Sequence, residues 1–252
     1  KGSLTTASCL AIIEHNDHMR IEHAKMPAIV VPKENPVDLL KQLEVRPVIN
    51  ANATLTKLGG SLMPPEVLQA MQSASAHFVD MFVLQQAAGE RIATLTRNEA
   101  AYVTSGAAAG LYFAALACGL GHGNVTSESL HHPQRREIII HRSHANAYTP
   151  SIELSGAELV WLDDQTGMTA STLQHALSAR TAAIFYFAGS HFGNLALPIE
   201  DVVRIAHAHG VAVVVDGAAQ LPPAENLWRF TTDVGADLAV FSGGKGLRGP
   251  QS

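Results

Sequence analysis

Apolar residues along this chain follow two rhythms, and the switch between them outlines the secondary structure. Val67, Ala70, Met71 and Ala74 recur at i, i+3, i+4, i+7 behind Pro64-Pro65. That spacing predicts a helix opened by proline with one apolar face. A second helix is expected from about Ala87 to Arg97, then a short strand over Ala100–Val103. Ala107–Cys118 is apolar nearly all round, the pattern of a buried helix. Beyond a polar loop at 121–136 come five apolar runs without alternation: Glu137–His141, Glu158–Leu162, Ala182–Phe187, Val211–Val215 and Leu238–Phe241. Each reads as a strand.

Helical signals separate those strands. Thr149 and Pro150 suit the N-cap and first position of a helix stopped by Gly156. Leu173, Ala176 and Leu177 mark another. Pro198 opens one with Ile199, Val202, Val203 and Ala206 facing inward, and Gly210 closes it. Strands that do not alternate are buried on both faces. Alternating with helices, they predict an α/β fold: a three-layer αβα arrangement around a mostly parallel central sheet. Residues 1–35 lack periodicity and are expected to form a poorly ordered N-terminal arm, with residues 36–252 making one large domain.

Composition narrows the function. Hydrophobic residues make up 47% and charged residues 15%, as in a globular protein with a sizeable core. Net charge is −5 and no Lys/Arg run stands out, so no nucleic-acid partner is expected. No stretch of eighteen apolar residues occurs, so no membrane span is expected. Cys9 and Cys118 are far apart and outside metal-ligand spacing, which fits a reduced, cytoplasmic setting. His15, His18 and His23 have no fixed ligand spacing, so no metal site is expected.

Four groups fall just after predicted strands: Thr104-Ser105-Gly106, His144, Asp216 and Lys245. In an open α/β sheet, ligands bind beyond the carboxyl ends of the strands. Thr104-Ser105-Gly106-Ala107 leads into a helix, whose free N–H groups and nearby hydroxyls make an anion cup or an ordinary cap. A carboxylate at the mouth of a buried strand, as at Asp216, is costly unless paired. A protonated pyridine nitrogen is one partner and a helix N-terminus another, while Ala218 is small enough to lie against a ring face. Lys245 sits in Ser242-Gly243-Gly244-Lys245-Gly246, where glycines let a flat ligand reach the amine. Desolvation there would favour imine formation; the alternative is a surface turn lysine. His144 is either a ring-stacking imidazole or a surface-loop histidine. A P-loop reading fails because Gly246, not Ser or Thr, follows Lys245 and Ala239 stands where its first glycine would be, and a dinucleotide-binding dehydrogenase is disfavoured because no G-x-G-x-x-G follows an early strand.

Taken in order, these motifs resemble fold-type-I pyridoxal 5′-phosphate enzymes. Within them the chain is similar to the selenocysteine synthase (SelA)-like branch that includes D-glucosaminate-6-phosphate ammonia-lyase-type enzymes. The resemblance runs through Arg46–Gly60, Phe78–Met81, Glu99–Ala109, Val215–Gln220 and Phe241–Gln251. It implies that Lys245 holds the cofactor as a Schiff base, Asp216 pairs with the pyridine nitrogen, and His144 stacks on the ring. It implies phosphate contacts from the Thr104 turn through Ser105, Gly106 and Ala107, with help from Ser242. Gln220 would meet the ring hydroxyl or the substrate, and His191 and Asn194 are further candidates for substrate or ring contacts. Lys245, Asp216 and His144 would be the catalytic set. The resemblance further implies a homodimer or higher homo-oligomer, and a smaller C-terminal domain that this chain lacks. The implied activity is that of a lyase on a small amino acid, abstracting the α-proton and eliminating a β-substituent to give a keto acid and ammonia. An L-seryl-tRNA(Sec) selenium transferase and a truncated, non-catalytic protein of the same fold are the alternatives.

Overall fold

The computed structural model describes residues 36–121, 125–131, 133, 135–162, 168–189 and 196–250. The expected arm at 1–35 and the candidates His191 and Asn194 lie outside these residues. The chain divides into two compact units, residues 1–49 and 50–252. In the first, α1 (Pro36–Gln42) is closed by the Val45 N–H donating to the Leu40 carbonyl at 2.9 Å, with Glu44 at φ 54°. That is a left-handed helix stop built without glycine.

In the second unit a 3₁₀ turn at Thr56–Leu58 is followed by α2 (Pro65–Ala74) and α3 (Met81–Thr96). Asp80 caps α3 by accepting from the N–H groups of Phe82 and Val83, so this helix starts well before Ala87. The expected strand at Ala100–Val103 does not form among the described residues; the Val103 carbonyl accepts from the Gln85 side chain instead of from a neighbouring strand. Next come α4 (Ala107–Leu120), α5 (Ser127–His131), β1 (Glu137–His141) and α6 (Pro150–Glu153). The last is a single turn, because Thr149 uses its hydroxyl to accept from the Asn146 N–H rather than to cap the helix. The remainder is β2 (Glu158–Leu162), α7 (Ala170–Ala176), β3 (Thr181–Phe187), α8 (Ile199–Ala208), β4 (Ala212–Asp216), α9 (Asn226–Trp228) and β5 (Leu238–Val240).

All five strands pair in parallel, in the order β2-β1-β3-β4-β5. Successive side chains enter two separate cores. Ile139, Ile184, Val213 and Val215 pack with α7 and α8 on one face. Ile138, Ile140, Ala183, Phe185 and Val214 pack with Leu111 and Ala114 of α4 on the other. This is the three-layer αβα fold expected from strands that do not alternate. Ile138, Ile139 and Ile140 are each 0% exposed. Burying each stabilises the sheet by about 1.5–3 kcal/mol. Chain direction across the sheet reverses between β1 and β3, the switch point where ligand crevices open in such sheets.

Candidate active site

A cavity of about 180 Å³ lies beyond the carboxyl ends of the strands. One wall is the start of α4, where Ser105, Gly106, Ala107 and Ala108 line the space. Gly106, at φ 123°, turns the chain into the helix with no side chain capping it. The first-turn N–H groups are therefore available to an anion. Thr104 does not line the cavity; its hydroxyl donates to the Gly106 carbonyl at 2.8 Å and braces the turn from behind. Gly110, one turn on, has no room for a side chain, since a Cβ would sit 2.9 Å from Val240 Cγ1. That close approach fixes α4 against β5.

The floor carries the charged pair. Asp216 ends β4, 9% exposed, and one of its oxygens accepts from the Ala218 N–H at 2.9 Å. Burial pushes its acid up, while the Ala218 N–H and the Lys245 ammonium pull it down. Lys245 lines the same cavity, as do Ala218, Ala219 and Ser242. The resulting set is an uncapped helix start, a buried carboxylate and an amine around one hollow. It suits a flat group with an anion at one end, a basic ring nitrogen to meet Asp216 and an aldehyde to meet Lys245.

A strap holds the lysine loop from the far side. The Ser61 N–H and hydroxyl both donate to the Gly244 carbonyl, at 2.9 and 3.0 Å. Arg248 Nε donates to the Leu62 carbonyl at 3.3 Å, and the Gly249 N–H to the Gly243 carbonyl at 2.7 Å. Thr56, on the same strap, reaches the cavity and accepts from the Tyr148 hydroxyl at 3.4 Å.

Two further candidates from the sequence are not among the residues lining the cavity. His144 is 2% exposed and does not line the cavity. The 3₁₀ turn Arg142–His144 folds it back beneath β3, where its Nδ1 accepts from the Phe187 N–H at 3.4 Å and its ring meets Tyr186 edge-on. Burial and the neighbouring His141 lower its pKa to about 4. Gln220 is also outside the lining; its carbonyl accepts from the Asn226 side chain at 2.7 Å. In their place the wall is made by Thr56, Asn146, Tyr148, Phe187 and Ala188. Only the location of Asn146 and Tyr148, shortly after a strand, could have signalled them.

The aminotransferase class-V family profile matches residues 53–251. The chain belongs to that family. Its members use pyridoxal 5′-phosphate. Over 221 residues the chain is 34% identical to a 5′-C-glycyluridine monooxygenase-decarboxylase of a Streptomyces species, covering 84% of this chain and 54% of that protein. It is 32% identical over 223 residues to D-glucosaminate-6-phosphate ammonia lyase of Salmonella typhimurium, covering 85% and 59%. A solved structure of D-glucosaminate-6-phosphate ammonia-lyase superposes with a TM-score of 0.74 at 31% identity, over 82% of this chain and 57% of that one. The class-V chain described here thus spans little more than half the length of these relatives.

Proposed function

We propose that the protein is a pyridoxal 5′-phosphate-dependent lyase that removes a β-substituent and then ammonia from an amino acid. The observation carrying this reading is that Lys245, Asp216 and the uncapped start of α4 line one cavity. Bound there, the cofactor supplies an electron sink for the carbon next to the substrate amine. Lys245 would anchor it covalently through Nζ and, once released, would accept the α-proton on that atom. Asp216, buried at the end of β4, would hold a proton on the ring nitrogen. The N–H groups of Ala107 and Ala108 would hold its phosphate with Ser105 and Ser242, and Ala218, which lines the same cavity, would meet the ring.

The likeness to the Salmonella ammonia lyase supports elimination with release of ammonia. The Streptomyces relative is named a monooxygenase-decarboxylase, which makes release of carbon dioxide the competing outcome. Absorbance of the purified protein tests the cofactor: a band lost on borohydride reduction, with the label on Lys245, is expected, and the same band in Lys245→Ala overturns the anchor. Ammonia released from an amino-acid panel without carbon dioxide supports the lyase; carbon dioxide overturns it.

The assembly is proposed to be a homodimer. Phe78, Met81, Phe82 and Val83 form an apolar band that is 109%, 67%, 89% and 64% exposed, more than an isolated chain tolerates well. Among the described residues no helix is long and apolar enough to cross a membrane. The free Cys118 thiol fits a reducing, cytoplasmic compartment.

A further inference from the structure

Among the described residues lining the cavity, only three side chains titrate: Asp216, Lys245 and Tyr148. The lyase reading, on which this inference rests, gives work to the first two. Tyr148 is left over, and its placement is not casual. Its N–H donates to Asn146 Oδ1 at 2.8 Å, and the Asn146 side chain donates to the His144 carbonyl at 3.0 Å, so the turn that carries it is tied down. Its ring centroid lies 5.7 Å from Lys245 Nζ. Its hydroxyl donates to Thr56 at 3.4 Å, a long bond for an O–H donor. Such a proton is readily redirected to a closer oxygen.

We propose that, when the leaving group is an oxygen on the substrate β-carbon, Tyr148 is the acid that protonates it. Lys245 Nζ takes the α-proton, and the electron pair of that C–H bond becomes the second bond between the α- and β-carbons. The β-carbon–oxygen bond breaks with its pair on oxygen, which takes the phenolic proton and departs as water or an alcohol. The Lys245 ammonium then returns its proton to the Tyr148 phenolate, so the α-proton leaves with the oxygen in net balance. Halide leaves without such help, whereas hydroxide is a poor leaving group until protonated. Thr56 acts as a positioning residue for the phenol.

The test uses serine and β-chloroalanine, each as both enantiomers, with the full-length holoenzyme. They differ only in the leaving group. In Tyr148→Phe, ammonia release from serine is expected to fall by about 10²–10⁴-fold, as for loss of a general acid, and release from β-chloroalanine by less than about tenfold. Cofactor affinity, read by absorbance titration of the apoprotein, is expected to match wild type. Thr56→Val is expected to give a smaller loss with the same selectivity. Equal losses on both substrates, or weakened cofactor binding in Tyr148→Phe, overturn the assignment. A cofactor-loaded wild type that releases ammonia from neither compound nor any other member of the amino-acid panel overturns the elimination reading itself, and the role of Tyr148 falls with it.

Discussion

Replacing Gly246 by alanine isolates the packing of the lysine loop. The backbone of Gly246 is not in the left-handed region, so the substitution adds only a methyl group. That methyl would lie 2.5 Å from Leu221 Cβ, 2.7 Å from the Leu221 carbonyl oxygen and 3.1 Å from its carbon. The obstacle is largely backbone, and the loop cannot slide away because Ser61 and Gly249 hold it by the carbonyls of Gly244 and Gly243. Overpacking of this kind costs about 1–3 kcal/mol, and a backbone obstacle puts it at about 2–3. At about 2–4 °C per kcal/mol for a chain of this size, the melting temperature should drop by about 4–12 °C. Gly243→Ala, two residues before Lys245, is the control: its Cβ would meet only the Pro250 carbonyl oxygen, at 3.7 Å, an ordinary contact. It should stay within about 0.5 kcal/mol of wild type. Thermal unfolding by circular dichroism, with and without cofactor, reads both variants. A Gly246→Ala protein that melts with Gly243→Ala would refute the argument.

Other predictions concern titration and assembly. His144, at about 4 when folded against 6.5 when free, contributes stability that is complete above about pH 6.5. It is lost as pH falls toward 4, by about 3 kcal/mol at most. Asp216, whose acid is raised, acts in the opposite sense, so urea unfolding at pH 7 and 4.5 is best done in Asp216→Asn; His144→Gln should flatten the remaining slope. Burial, followed by the Asp237 charge, raises the Cys118 thiol to about 11. Iodoacetamide at pH 8 should modify it far more slowly than an unfolded cysteine, as read by peptide mass spectrometry; equal rates would contradict the burial. Phe78→Asp with Phe82→Asp should halve the mass in light scattering, and an unchanged mass would move the interface elsewhere.

The sheet was legible because a strand buried on both faces must be apolar at every position, as Ile138–Ile140 and Val213–Val215 are. Asp216 stood out because it ends such a run, and Lys245 because glycines flank it a few residues past the last strand. The periodicity of α2 revealed an apolar face but not what covers it, and Met71 remains 44% exposed. Ala100–Val103 has strand composition, yet a strand exists only by pairing, and here a glutamine side chain takes its carbonyl. His144 follows β1 in a 3₁₀ turn that buries it among Tyr186 and Phe187, beside rather than within the cavity lining, and sequence alone does not show which way such a turn folds. Thr56 and Tyr148 meet across 92 residues of chain, and no local pattern announces such a meeting.

The hydrogen bonds from Ser61 to the Gly244 carbonyl join residues 183 positions apart. During synthesis, Ser61 emerges from the ribosome long before the carbonyl it must hold, and the parallel strands between them are slow to assemble. The lysine loop can therefore be braced only once both ends of that long stretch have been made. An unfinished nascent chain would bind cofactor poorly, whatever part of its framework had already formed.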